Sequence, residues 1–277
     1  MSWGLTLLVI LLFGWPAAAQ SPRMTPREGF GLHDERTVGP FTVQRWVSAE
    51  SPEVSPAGMC ECITVIYHGA RLVLSFGVPG EIAARSVSDL TGRDINGDGL
   101  PDLVVSDWSG GAHCCYTTSV YSVGDEPKQI LALSTGNCGP GEFEDLDGDG
   151  ILEYVTCDDQ FAYTYCTFAD SPFPRVIYAY DRARGVYAPA TPRFAARLRS
   201  ELATFLEQAQ TWMAAAGGKD PGLDKCRLLR PALGLMYSGR FDDGLVLIRG
   251  LYRGADREAF ERDIVVSVRQ SPLWVEK

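Results

Sequence analysis

Asp94-Ile95-Asn96-Gly97-Asp98-Gly99-Leu100-Pro101-Asp102 and Asp145-Leu146-Asp147-Gly148-Asp149-Gly150-Ile151-Leu152-Glu153 decide how this chain is read. Each stretch places oxygen-bearing side chains at positions 1, 3, 5 and 9 and a glycine at position 6. That spacing wraps a tight turn around one hard cation, and the glycine permits the bend. Calcium suits such a set because it takes six to eight oxygen ligands in flexible geometry. The first set is Asp94, Asn96, Asp98 and Asp102, with the carbonyl of Leu100 at position 7. The second is Asp145, Asp147, Asp149 and Glu153, with the carbonyl of Ile151. An EF-hand needs a bidentate Glu at position 12 and a following helix. Here position 12 is Val105 or Thr156, and Leu103-Val104-Val105 and Tyr154-Val155-Thr156 read as strands. The alternative is a pair of metal-free Asp/Gly surface turns; the repetition of one spacing argues against it.

Asp94 to Val105 resembles the FG-GAP or VCBS-type repeat of integrin α-like β-propellers, and the Asp145 turn with its following Glu-Tyr-Val resembles a second copy. The resemblance implies calcium turns in a β-repeat scaffold that serves binding, and it extends over about residues 40–190. The turns lie 51 residues apart, a period that suits a unit of about four strands. A third unit could precede Asp94. Three units fall short of an ordinary propeller, so either the blades are irregular or the sheet closes in another way.

Outward from the turns, residues 41–190 carry β signals. Phe41–Ser48 alternates. Cys62–Tyr67 and Arg71–Phe76 flank His68-Gly69 as a hairpin. Tyr116–Val123, Gln129–Leu133, Arg175–Tyr180 and Gly185–Ala188 follow. Asp158-Asp159-Gln160-Phe161-Ala162-Tyr163-Thr164-Tyr165-Cys166 reads as a strand whose rings fill the β core, or else as an aromatic binding loop; Asp158 or Asp159 could also lend a ligand to a neighbouring calcium. From Thr191 the period becomes helical. Thr191 is expected to cap a helix with Pro192 at its first position, ending at Gly217-Gly218. Further helices are expected over about 223–237, 241–252 and 256–269. The expected class is mainly β with an α-helical C-terminal region: irregular β-propeller-like repeats with calcium turns over 41–190, then a small helical cap over 191–277.

Residues 1–19 read as a signal peptide, with a short apolar core from Leu5 to Trp15 and Ala17-Ala18-Ala19 as the cleavage site. Residues 20–40 read as an aperiodic leader. No later segment is apolar enough to cross a bilayer. Eight cysteines agree with an oxidising compartment, secreted or periplasmic. Seven lie in the β region and one, Cys226, in the helical tail. Seven is odd, so complete pairing within the chain requires Cys226 to bridge to the β region. Cys60 and Cys62 face one side of a strand, whereas adjacent Cys114 and Cys115 face opposite sides.

Residues 20–190 hold 11 Lys and Arg against 24 Asp and Glu, whereas residues 191–277 hold 14 against 11. With no basic stripe to release counterions, nucleic acid is excluded as a partner. Three histidines, and no H-E-x-x-H, G-x-S-x-G or P-loop pattern, leave catalysis without a motif. His113-Cys114-Cys115 could bind zinc or assist a thiolate, but export favours a disulfide there. The expectation is an exported, non-catalytic calcium-binding protein that engages an extracellular or periplasmic protein or glycan. The competing readings are a metal-dependent hydrolase of phosphate esters or glycans, and an inhibitor of a cell-wall hydrolase.

Overall fold

The computed structural model describes residues 28–111 and 114–276. The signal-peptide reading of residues 1–19 and the chemistry considered for His113 lie outside the described residues. Twelve strands and four helices follow one another in the described chain. The strands are β1 (Phe30–Val38), β2 (Phe41–Ser48), β3 (Met59–His68), β4 (Arg71–Phe76), β5 (Ile82–Val87), β6 (Asp102–Trp108), β7 (Tyr116–Val123), β8 (Pro127–Gly136), β9 (Glu142–Glu144), β10 (Glu153–Cys157), β11 (Arg175–Asp181) and β12 (Val186–Pro189). β1 to β8 form one sheet in the order β1-β2-β3-β5-β6-β7-β8, with β4 also beside β3; β9 to β12 form a second in the order β12-β11-β10-β9. All the strand pairings are antiparallel, and neither sheet closes into a barrel among the described residues.

β6 explains why the turns matter to the fold. It carries a continuous apolar run, Leu103-Val104-Val105, as expected of a strand covered on both faces. Leu103 and Val105 enter a core with Phe41, Val43, Ile66 and Val123. Val104 points the other way, into a larger core with Tyr154, Val176 and the C-terminal helices. The first acidic turn therefore feeds directly into the wall between two cores. The second feeds β10, whose Tyr154 is fully buried and donates to the Thr118 hydroxyl at 3.0 Å.

The segment read as a leader contains β1. Its sequence, Phe-Gly-Leu-His-Asp-Glu-Arg-Thr-Val, shows no apolar alternation because β1 is an edge strand with most residues exposed. Its register on β2, from Phe30↔Ser48 to Val38↔Phe41, supplies the order that periodicity does not.

The helical region is α1 (Arg199–Ala216), α2 (Pro221–Tyr237), α3 (Phe241–Leu251) and α4 (Arg257–Gln270). Thr191 does not cap α1. Its hydroxyl accepts from the Ile177 N–H of β11 at 3.0 Å, so residues Thr191–Phe194 form a 3-10 turn pinned to the sheet and α1 begins later. At α2, Asp220 caps by accepting from Leu223 N–H at 3.0 Å, with Pro221 at the first position. α2 is the most deeply covered helix, with Leu228, Leu229, Ala232, Leu233 and Met236 all inaccessible to solvent. α3 crosses it closely: a Cβ on Gly244 would lie 2.6 Å from the Ala232 carbonyl. The tail and the second sheet share one core, with Tyr154, Val176 and Tyr178 meeting Leu228, Met236 and Phe260.

Four disulfides join Cys60–Cys62, Cys114–Cys115, Cys138–Cys157 and Cys166–Cys226, and no described cysteine is free. Cys226 does bridge out of the tail. Cys114 and Cys115 precede β7 and pair with each other, so the constraint drawn from a strand does not apply to them. Residues 158–166 are not a strand either. Asp158 is buried and accepts from Gln160 N–H at 3.0 Å, from the Tyr237 hydroxyl at 2.6 Å and from the Ser271 hydroxyl. These bonds turn the chain out of the sheet towards α2 and the end of α4. Phe161 follows into the shared core, while Tyr163 stays exposed at a positive φ of 60°. Burial raises the Tyr237 hydroxyl above its ordinary pKa, and the adjacent Asp158 charge adds to the effect.

Candidate metal centre

The two turns share four backbone-to-carboxylate hydrogen bonds at positions 1, 5 and 9, and the first turn alone adds one from Asp98 N–H to Asp94. At position 1, Asp94 accepts from Gly97 N–H at 2.7 Å and Gly99 N–H at 2.8 Å; Asp145 accepts from Gly148 N–H at 2.7 Å and Gly150 N–H at 3.1 Å. At position 5, Asp98 accepts from Leu100 N–H at 2.9 Å and Asp149 from Ile151 N–H at 2.8 Å. At position 9, Asp102 and Glu153 each accept from the position-2 N–H at 2.8 Å, from Ile95 and Leu146 respectively. Glycines at positions 4 and 6 make this possible. Gly97, Gly99, Gly148 and Gly150 all have φ between 71° and 85°, a conformation that turns successive N–H groups inward.

Position 9 lies deep in both turns, and in the first Asn96 at position 3 is equally buried. Asp102 and Glu153 are the first residues of β6 and β10, and both are buried. Burial pushes the Asp102 carboxyl up to about 7, with the charges of Asp98 and Asp94 adding to it, and burial likewise raises Glu153. Asp102 Oδ1 has no hydrogen-bond partner. An orphaned buried carboxylate oxygen is costly, and a cation beside it would remove the cost. Asp98 behaves differently. Burial acts to raise it, but the Ser122 hydroxyl at 2.6 Å, Leu100 N–H and Asn96 hold it below the ordinary carboxylate range.

In the second turn, one carboxylate oxygen from each of Asp145, Asp147 and Asp149 lies within 4.8 Å of the others. Glu153 stands behind that trio. In the first turn Asn96 replaces the central acid; its amide donates to Asp98 at 3.0 Å and its own oxygen accepts from Asp98 N–H at 2.9 Å. The donors in both turns are hard oxygens, and the orphaned Asp102 oxygen fits a hard cation. Asp158 and Asp159 are committed elsewhere, Asp158 to the helical tail and Asp159 to Asn137 N–H at 2.9 Å.

Three contacts lay beyond the reach of the motif. The turns touch: Leu152 N–H donates to the Ile95 carbonyl at 2.8 Å, and the Tyr187 hydroxyl of β12 lies 3.3 Å from that carbonyl and 3.0 Å from the Leu152 carbonyl. Arg182 donates to the Gly97 carbonyl at 3.3 Å. Arg193, in the 3-10 turn before α1, pairs with Asp147 and lies 3.9 Å from Asp149. No short sequence signal links these residues to the turns, because they are brought there by the second sheet and its exit.

A family model described as an FG-GAP-like repeat matches residues 94–156. The match runs from the first residue of the first turn to the strand that leaves the second, so this chain carries an FG-GAP-like repeat. Over 118 residues, 42% of the chain, it is 31% identical to a probable thylakoid lumen protein of Synechocystis. Over 84 residues, 30% of the chain, it is 30% identical to an uncharacterized protein of Sinorhizobium fredii. The matched stretches span 34% and 13% of those relatives' lengths. No solved structure gives a significant match.

Proposed function

We propose that this chain is an exported, non-catalytic binding module whose irregular, propeller-like β units are locked by calcium in the two acidic turns. The observation that carries the reading is the repeated turn: the same acceptors meet the same backbone donors twice, and in the first the position-9 acid keeps one buried oxygen unpartnered. Bound calcium would supply charge neutralisation to the acids and no chemistry on a substrate. Asp94, Asn96, Asp98 and Asp102 would hold one ion with the Leu100 carbonyl, and Asp145, Asp147, Asp149 and Glu153 the other with the Ile151 carbonyl. Export is supported by the four disulfides and by the lumenal name of one relative. No described helix is long and apolar enough to cross a membrane.

Each ion would stabilise the fold by RT ln(1 + [L]/Kd), about 2.7 kcal/mol at 100-fold saturation. Calorimetric titration of chelated protein is the test. Two calcium-binding events are expected, with one lost in Asp98→Ala and the other in Asp149→Ala. Heat-silent titration, with no rise in melting temperature on adding calcium, would refute the proposal.

A further inference from the structure

Away from the turns, the sheet and the helices enclose a cavity of about 210 Å³, walled by Phe173, Leu198, Leu202 and Phe205. Arg230 of α2 lines it as well. Its guanidinium donates to the Ala169 carbonyl at 3.3 Å and meets no carboxylate among the described residues. Nearby cations are paired, Arg227 with Asp170 at 2.8 Å and Arg175 with Glu201 at 3.1 Å. Arg175, Glu201 and Phe173 also line a second, open trough of about 350 Å³ that runs on past Glu142 to the Cys138–Cys157 disulfide.

Thr156 lies in that trough. It is 8% exposed, and its hydroxyl is buried without a hydrogen-bond partner. Pairing of β9 with β10 ends at Val155, so the β10 edge beyond has no strand neighbour on that side among the described residues. Along one line the surface thus offers an unpaired cation, an apolar socket for one side chain, an ion pair and an open trough beside the β10 edge.

We propose that this cleft binds the carboxyl-terminal segment of a peptide. The terminal carboxylate meets Arg230, the last apolar side chain fills the cavity, and the preceding backbone runs along the trough. Arg is suited to a carboxylate because its planar fork donates two parallel bonds. The open edge favours an extended main chain. Further along the trough, Glu142 suits a neutral or basic residue upstream in the peptide. This deepens the binding-module reading by naming a partner class, and it does not depend on calcium.

The test uses a fluorescently labelled Ala-Lys-Ala-Phe peptide with a free carboxylate, its carboxamide, and octanoate as competitor. Anisotropy is read in calcium-containing and chelated buffers, with circular dichroism confirming the fold in each. The free-acid peptide should bind saturably, the amide at least about tenfold more weakly, and Arg230→Gln should abolish that preference. Absence of saturable binding to folded protein overturns the proposal, as does equal binding of acid and amide. Octanoate binding as tightly as the peptide also overturns it in favour of a small amphiphile. Peptide binding that persists when calcium uptake is absent would leave this site standing and remove only the metal reading.

Discussion

Removing the Cys166–Cys226 disulfide by Cys166→Ala with Cys226→Ala tests whether the tail is a fixed cap. The bond spans 60 residues of sequence. Constraint of the unfolded chain by a loop of that size is worth about 4 kcal/mol in the chain-entropy model. A comparable estimate for Cys138–Cys157, which spans 19 residues, is about 3 kcal/mol. Cys226 is fully buried on α2, so its replacement adds a small packing loss to the entropic one. Total stability of a domain is about 5–15 kcal/mol, so the loss is a large share of the whole. Urea unfolding in calcium buffer, followed by far-ultraviolet circular dichroism and tryptophan fluorescence, measures it. The double variant should show a lower midpoint, a steeper dependence on urea because the unfolded chain is more open, and coincident transitions by both probes. A loss below about 1 kcal/mol would refute the reasoning, since the entropic contribution would then be missing. A separate early helical transition would refute it too, because the shared core would not be holding the tail.

Asp158→Asn should cost about 1–3 kcal/mol, read as a lowered melting temperature, because the Tyr237 and Ser271 hydroxyls both donate to this buried carboxylate; an unchanged melting point would dissolve the junction. Alkaline stability should fall from about pH 10 upward. Burial raises Tyr154 to about 12 and raises Tyr178, Tyr187 and Tyr237 as well, so their neutral forms stabilise the fold below the unfolded pKa and that contribution is lost as pH climbs through the folded values. Tyr154→Phe should flatten the decline between pH 10 and 12, and an identical pH profile would argue against it. Arg193→Gln should tighten calcium uptake at the second turn and leave the first unchanged, because the guanidinium competes there for Asp147 and Asp149; weaker uptake would instead make Arg193 a supporting residue.

Much of the β region was legible because its strands alternate or run apolar between clear turns. Phe41–Ser48 and Tyr116–Val123 coincide with β2 and β7, and the hairpin at His68-Gly69 is the β3–β4 pairing. β1 and β9 were not legible, since an exposed edge strand and a three-residue strand take their order from neighbours and not from composition. The parity of the cysteines led to a bridge from Cys226, whereas nothing in the sequence selected Cys166 as its partner. Thr191 looked like a cap because its residue type and the following Pro192 fit one; a backbone N–H from β11 claims the hydroxyl instead. At the candidate centre, the turn residues were legible because they are contiguous. Ser122, Tyr187 and Arg193 were not, because only the pairing of β7, β12 and the strand exits brings them to the acids.

The disulfide map also fixes how tension would travel through the molecule. A pull on the chain beyond Cys226 crosses directly to Cys166, so β11, β12 and α1 carry no load while that bond is intact. Cys138–Cys157 encloses residues 145–153 in the same way. The second acidic turn is therefore short-circuited covalently, whereas residues 94–102 lie in open chain between Cys62 and Cys114 and transmit force to β6 through their backbone. Of two turns that are alike in their hydrogen bonds, one is mechanically insulated and the other is placed where stretching would distort it first.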